Sequence, residues 1–327
     1  MNKLFIIGNG FDCYGHNMKT KYSDFRQFIL SKFPHIERIP ARIPRIPVTH
    51  VNKNLVQCEI VRYILHVLDI CQDANWSTFE SSLGEAIFYT IIDDILDNGH
   101  SLEISKSFSD GMEDMLNCMD ELNELVSMGL KIEDAFVLLK KLFYQWITES
   151  LSNIKYENYC RNTSFDTVLD CVRGKTSNVY INFNYTHTLE KLYDIPPEQV
   201  CHIHGKIGDP IDNIIFGHGV PFNNDVLNEC PEMSSFFQYI SRILRKKTFR
   251  VIESNKVLFE NTKNVSEIYS FGFSFSNVDM VYIDEICKYI VPQKVTWYFN
   301  SYDTKYNQHL IKMIQEYGFI VKNETKW

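Results

Sequence analysis

The fold is decided by residues 179–206, which read VYINFNYTHTLEKLYDIPPEQVCHIHGK. Residues 179–183 and 199–203 are β-prone runs, and a helix-like segment at 188–193 lies between them. A helix that joins two strands is typical of neighbouring parallel strands. The stretch therefore predicts an α/β protein with a mostly parallel sheet, arranged as a three-layer, Rossmann-like sandwich.

A polar residue follows each of these two strands, Asn184 after the first and His204 after the second. In α/β sheets, ligands bind beyond the carboxyl ends of the strands. We therefore interpret Asn184 and His204 as catalytic residues and expect their side chains to converge on one ligand. In the structural alternative, Asn184 caps the following helix and His204 only begins a turn.

The amino-terminal region supplies another strand and a glycine turn. Residues 3–8 form a continuous β-prone run that ends in Gly8-Asn9-Gly10. The backbone amides of this turn are predicted to approach a pyrophosphate, although Cys13 stands where a dinucleotide fingerprint has its third glycine. Asp12 is interpreted as a ribose ligand or a base, with a helix cap as the structural alternative.

A glycine-serine segment follows a third predicted strand, at 265–271. Gly272, Ser274 and Asp279 offer an amide, a hydroxyl and a carboxyl group beyond its end. Such groups at the start of a helix suit ribose and phosphate oxygens. We therefore place these three residues in a nucleotide-binding site.

Three shorter segments complete the predicted sheet. A strand at 294–299 is followed by Asn300, and 319–322 is predicted as an edge strand. A further strand at 214–216 precedes His218, which has a glycine on each side. Flanking glycines indicate a backbone that comes close to a ligand, so His218 joins the candidate binding residues.

The middle of the chain has a different pattern, because apolar residues between 54 and 153 recur at helical spacing. Besides the segment at 188–193, helices are predicted at 22–33, 86–96, 110–128, 132–154 and 236–260, and residues 55–68 also have helical spacing. Ser77 and Glu80 form a capping-box pattern, and 38–47 is a loop of alternating prolines and arginines. We predict a nucleotide-binding core from 1–33 and 175–327 and a mainly helical insertion at 34–174.

Composition excludes several classes of protein. Of the 327 residues 45% are hydrophobic, which is enough for a sizeable core, and the formal net charge of −8 disfavours nucleic-acid binding. The nine cysteines form no C-x-x-C pair, and no apolar run is long enough for a signal peptide or a membrane span. We therefore expect a reduced, cytoplasmic protein without membrane contact.

Asn184-Tyr185 followed by His204-Gly205 resembles two sequence blocks of the sirtuin-like NAD-consuming domains. The chain is also similar to the AbiH family of phage abortive-infection proteins. That resemblance rests on the segments IIGNGFD at 6–12, Tyr22-x-Asp24-Phe25, Trp76-x-x-x-Glu80 and Gly272-Phe273-Ser274.

The resemblance implies a sirtuin-like fold that binds NAD as a substrate and cleaves its nicotinamide–ribose bond. It implies catalytic roles for Asn184, His204 and Asp12, with no metal ion. It also implies that NAD is bound by Gly8, Asn9, Gly10, Phe11, Tyr22, Asp24, Tyr185, Gly205, His218, Gly272, Ser274, Asp279 and Asn300. Thr186 stands where many sirtuin-like domains have an aspartate, so either Asp12 or Asp24 supplies that carboxylate or the nucleotide is bound without cleavage.

Two other functions remain open from the sequence. One is a metal-dependent hydrolase whose ligands are His202, His204 and His218, the first two on one face of a strand. The other is a nucleotide-loaded sensor or scaffold of phage defence that catalyses nothing. For all of them we expect homo-oligomers, a phage-derived trigger, and an insertion that controls access to the site.

Overall fold

A computed structural model describes residues 2–34, 36, 60–65, 68, 80, 83, 133–170, 178–219 and 234–322. The predicted loop at 38–47, the predicted helices at 86–96 and 110–128, and the residues Trp76 and Ser77 lie outside these ranges.

The chain forms two compact units. The first comprises residues 1–25, 144–215 and 247–327, and the second comprises 26–143 and 216–246. The predicted division into a core at 1–33 and 175–327 and an insertion at 34–174 stays a prediction.

The first unit contains a sheet of six strands, and every neighbouring pair is parallel. The strands are β1 (Asn2–Ile7), β2 (Val179–Asn182), β3 (Val200–His202), β4 (Val265–Phe271), β5 (Thr296–Phe299) and β6 (Ile320–Lys322). Their order is β3-β2-β1-β4-β5-β6, and Ile6 pairs with Ile181. This is the order of a doubly wound, Rossmann-like sheet, with its switch point at β1. The predicted fold class is confirmed.

Helices and 3-10 turns alternate with the strands. The helices are α1 (Asn9–Cys13), α2 (Tyr22–Lys32), α3 (133–149), α4 (Thr163–Asp170), α5 (Thr188–Leu192), α6 (Ser234–Leu244), α7 (Thr248–Ser254), α8 (Lys256–Asn261), α9 (Met280–Cys287), α10 (Ser301–Tyr306) and α11 (Gln308–Glu316). Residues 60–65 are also helical. The 3-10 turns are Leu151–Asn153, Tyr156–Asn158, Pro197–Gln199, Ile211–Asn213, Thr262–Asn264 and Pro292–Lys294. No helix among the described residues has the length and apolarity that crossing a membrane requires.

The central strand β1 is buried on both faces. Leu4 and Ile6 belong to one apolar cluster and Phe5 and Ile7 to the other, and none of the four is exposed. A continuous apolar strand is what a parallel sheet covered on both sides requires.

An aromatic row also crosses four strands. Tyr180 stacks on Phe5 at 4.6 Å, Phe5 stacks on Tyr269 at 5.3 Å, and Tyr269 stacks on Tyr298 at 4.6 Å between ring centroids. Because a shift of one residue would move these rings to the opposite face, the row fixes the register of the sheet.

Two predictions about elements are wrong. Residues 214–216 form no strand, because the backbone of Ile215 makes isolated hydrogen bonds and no ladder. Its amide donates to the His204 carbonyl, and its carbonyl accepts from the Tyr185 hydroxyl. The predicted helix at 236–260 is instead three helices, α6 to α8. It breaks where the Lys246 amide donates to the carbonyl of His218, and again where the side chain of Asn255 donates to the carbonyl of Val251.

Candidate functional site at the carboxyl ends of the strands

The turn after β1 packs directly on the turn after β4. The amides of Gly8 and Gly10 donate to the carbonyls of Phe271 and Gly272, both at 3.0 Å. A Cβ on Gly8 would lie 2.4 Å from the Gly272 oxygen, and a Cβ on Gly10 would lie 2.7 Å from the Gly272 Cα. The close approach of two backbones therefore requires these glycines, and their predicted contact with a pyrophosphate stays a prediction.

Asn184 lies buried beyond the end of β2, with 4% of its surface exposed. Its amide nitrogen Nδ2 donates to the Gly8 carbonyl at 3.1 Å, which ties the end of β2 to the switch point. Its Oδ1 is buried and accepts no hydrogen bond in the described part of the chain. An unpaired acceptor of this kind can receive a hydrogen bond from a ligand hydroxyl or a water molecule.

Asp12 lies with its carboxyl group beside Thr186. The Thr186 hydroxyl donates to its Oδ2, and the Thr188 hydroxyl lies 3.0 Å from that of Thr186. Complete burial raises the pKa of Asp12 to about 6, although hydrogen bonds from Thr186 and Thr188 act in the opposite direction. Oδ1 of Asp12 is buried and has no partner among the described residues. The amide of Lys21, by contrast, donates to Asp24 at 2.8 Å, as in a capping box at the start of α2.

His204 is paired with the carboxylate of Asp279, which was predicted to bind the nucleotide. Its Nε2 lies 3.2 Å from Oδ1 of Asp279, and their side chains are 5% and 8% exposed. The Ser276 hydroxyl donates to the other oxygen of Asp279 at 3.2 Å, and the ring of Phe183 stands edge-on to the imidazole. A buried carboxylate at one ring nitrogen fixes the tautomer of a histidine and stabilises its charged form.

A second histidine and carboxylate cluster was not predicted. His202 Nε2 lies 2.8 Å from Oε1 of Glu190, and His187 Nδ1 lies 3.4 Å from the same oxygen. The opposite nitrogens, Nδ1 of His202 and Nε2 of His187, face the carbonyls of Asn184 at 3.0 Å and Ile207 at 3.2 Å. Burial alone would raise the pKa of Glu190, but hydrogen bonds from His187 and His202 outweigh it and hold the pKa well below its usual range.

This cluster corrects the histidine set proposed for a metal-dependent hydrolase. β3 ends at His202, so strand alternation does not carry on to His204, and the two rings contact different carboxylates. His218 belongs to the second unit, where its amide donates to the Leu244 carbonyl at 2.9 Å and its ring faces the Ser241 carbonyl. His187 and Glu190 lie three positions apart at the start of α5, a spacing that could have revealed them.

Other predicted binding residues near the amino terminus contribute to the fold. Asn9 begins α1 and donates to the Thr20 carbonyl at 3.0 Å. Phe11 is fully buried and stands edge-on to the ring of Phe165, and Tyr22 is 8% exposed. Asn9 and Phe11 lie in the helix that follows β1, and the contact of all three side chains with NAD stays a prediction.

The remaining predicted residues lie at the strand ends. Tyr185 donates through its hydroxyl to the Ile215 carbonyl, and Ser274 is exposed. Gly205 has a positive φ of 82°, and a Cβ there would lie 2.4 Å from the Asn213 carbonyl oxygen. Asn300 caps α10, as its Oδ1 accepts from two helix amides and its Nδ2 donates to Asp303.

Comparisons with known proteins agree with the sequence resemblance. Residues 4–302 match the model of the family described as bacteriophage abortive infection AbiH. A search of curated proteins found no match, and neither did a search of solved structures. The family match covers most of the 327-residue chain, including both turns at the switch point. The chain therefore belongs to the AbiH family of bacteriophage abortive-infection proteins.

Proposed function

We propose that this protein binds NAD at the carboxyl ends of β1, β2 and β3 and hydrolyses the nicotinamide–ribose bond, and that loss of NAD stops phage propagation. The observation that carries the proposal is the buried, unpaired Oδ1 of Asn184, held beside the switch point by the carbonyl of Gly8. In sheets of this strand order, dinucleotides bind at that point.

The chemistry requires few groups. Cleavage of the glycosidic bond passes through a sugar with oxocarbenium character, so negative charge and an oriented water molecule lower the barrier. Oδ1 of Asn184 can accept from the attacking water or from a ribose hydroxyl. Asp12, ionised above its pKa of about 6, supplies negative charge close to the same turn.

His204 acts in this proposal as the acid–base group. Its pairing with Asp279 matches the arrangement in which a carboxylate orients a histidine and stabilises the imidazolium ion. The histidine takes up a proton as water or a ribose hydroxyl is deprotonated, and the departing nicotinamide leaves as a neutral molecule.

The test is release of nicotinamide from NAD by the purified full-length protein, alone and with lysate from phage-infected cells. Asn184→Ala is expected to lower turnover about a hundredfold or more while NAD binding is retained, because the lost hydrogen bond acts mainly in the transition state. His204→Ala is expected to do the same.

Asn255→Ala is the matched control, since that side chain bonds the Val251 carbonyl and the Cys201 thiol at the junction of α7 and α8. Wild-type turnover by folded Asn184→Ala protein would overturn the assignment of this residue. NAD binding without release of nicotinamide under either condition would favour a nucleotide sensor, and absence of binding would overturn the proposal.

A further inference from the structure

The cluster of His187, Glu190 and His202 brings three ligand-type atoms together. A ring nitrogen of His187, a carboxylate oxygen of Glu190 and a ring nitrogen of His202 all lie within 4.8 Å of one another. Ligand atoms around a tetrahedral zinc ion, at bonds of about 2.0–2.1 Å, are separated by roughly 3.3 Å. The three side chains are thus spaced for a single ion after small rotations.

Hydrogen bonding within the cluster is unbalanced. Each ring faces a backbone carbonyl with one nitrogen, His202 that of Asn184 and His187 that of Ile207, and faces Oε1 of Glu190 with the other. A neutral imidazole carries one N–H and can donate to only one of its two acceptors. When both neutral rings donate to the carbonyls, two lone pairs point at Oε1 of Glu190, which can only accept.

One carboxylate oxygen cannot satisfy two neutral rings that both direct a lone pair at it. Oε2 of Glu190 is in addition buried without a hydrogen-bond partner among the described residues, and this side chain is only 8% exposed. A cation that accepts lone pairs from both rings and from the carboxylate removes all three mismatches.

We propose that His187, Glu190 and His202 bind one divalent transition-metal ion, with Zn²⁺ as the ion that fits best. Two imidazoles and a carboxylate form a ligand set that zinc uses with a fourth, open position. The carbonyls of Asn184 and Ile207 act as the outer partners that fix the orientation of metal-binding histidines.

The surroundings allow an ion to enter and make its charge effective. The His187 side chain is 25% exposed, so the cluster is reached from solvent on that side, whereas the His202 side chain is 4% exposed. Asp12 lies close enough for the charges of His202 and Glu190 to act on it. The proposed ion lies beside the candidate site of NAD cleavage and reverses the expectation of a metal-free protein. It does not depend on whether NAD is cleaved.

The experiment is Zn²⁺ titration of the chelator-treated, full-length protein by calorimetry, with metal content measured by mass spectrometry. We expect one equivalent of Zn²⁺ per chain, and we expect Glu190→Gln to weaken the affinity about a hundredfold or more because a charged ligand is lost. His309→Gln and Cys160→Ser, which alter exposed metal-binding groups, are expected to bind as the wild type does.

If Glu190→Gln fails to fold, the absorption spectrum of the wild-type protein with Co²⁺ bound provides a second test. Nitrogen and oxygen ligands give d–d bands without a thiolate charge-transfer band. A thiolate band, no Zn²⁺ uptake by folded wild-type protein, or equal affinity in folded Glu190→Gln would each overturn the proposal. None of these readouts requires NAD cleavage, so a failure of the metal site is separate from a failure of the proposed activity.

Discussion

A buried asparagine follows the carboxyl end of β2, and another follows that of β5. The two side chains differ in how much of their hydrogen-bonding capacity is used. Asn184 and Asn300 are both 4% exposed. Asn300 uses both ends of its amide to cap α10, whereas Asn184 leaves Oδ1 without a partner among the described residues. A buried polar atom left unpaired costs about 1–3 kcal/mol. The same residue type at the same edge of one sheet thus completes the fold at Asn300 and keeps a hydrogen-bond acceptor available at Asn184.

The difference extends to neighbouring carboxyl groups. Asp303, beside Asn300, accepts from Asn300 through one oxygen and from Asn307 at 2.7 Å through the other. Asp12 and Glu190, beside β2 and β3, each keep one buried oxygen without a partner in the described part of the chain. Unused hydrogen-bonding capacity is therefore present beyond β2 and β3, where a ligand can use it, and is used up at Asn300 and Asp303 beyond β5.

The largest expected loss of stability comes from a substitution in the turn after β4, which packs on the turn after β1. Gly272→Ala should lower the free energy of unfolding by at least about 4 kcal/mol, the range of exceptional single substitutions. Gly272 has a φ of 63°, and a Cβ there would lie 2.2 Å from the Phe11 amide nitrogen. Urea unfolding measures the loss.

Gly208→Ala is the matched control, because Gly208 also has a positive φ, 95°, but a Cβ there would meet no atom within 4 Å. It should cost only about 1 kcal/mol, the penalty for the backbone conformation. Equal losses in the two variants would show that the contact between the two turns is not what requires Gly272.

Asp12→Asn should make the protein more stable at alkaline pH. The raised pKa of about 6 means that the folded state holds the Asp12 proton more tightly than the unfolded state, with its value of 3.8. The resulting stability is complete below pH 3.8 and is lost as the pH rises through 6. The amide has no charge to bury, so relative to the wild type the variant should gain up to about 3 kcal/mol by pH 8.

Unfolding in chelator at pH 4 and pH 8 measures this effect, because a bound metal ion would lower the pKa of Asp12. The two proteins should differ little at pH 4. A difference that does not grow between the two pH values would contradict the assigned charge burial. If Asp12 also stabilises the transition state, the more stable variant will be the less active one.

The smallest expected losses of stability distinguish the roles of the two asparagines. Asn300→Ala should lower the free energy of unfolding by about 1–2 kcal/mol, because it removes the cap of α10. Asn184→Ala should lower it by less than about 1 kcal/mol, because deletion of the unpaired Oδ1 offsets the lost bond to Gly8. Unfolding and the KM for NAD, measured on both variants, test this. A rise in KM in Asn300→Ala would show that Asn300 contacts the adenosine half of NAD as well as capping the helix.

The sheet could be predicted because its signals are local. Continuous apolar runs predicted the bounds of β1, β2 and β4 almost to the residue. The observed bounds of β4 are the predicted ones. A buried run of three residues at 214–216 was too short to distinguish a strand from a packed loop.

The site was only partly predictable, because its partners are distant in sequence. That Asp12 rather than Asp24 stands beside Thr186 follows from the pairing of β1 with β2, and Asp279 reaches His204 from a different segment of the chain. The pairing of Glu190 with His202 likewise requires that β3 lie beside β2.

The central position of β1 also sets the order in which the protein can fold during synthesis. Lys3 of β1 donates a hydrogen bond to Tyr269 of β4, and the two residues are 266 positions apart. At about 5–20 residues per second, a ribosome needs roughly 13–50 s to make that length. Until then β2 is the one described partner strand that β1 can pair with, and Asp279 has not yet been added opposite His204. The nascent chain therefore carries an incomplete candidate site until Asp279 and the strands around it have been made.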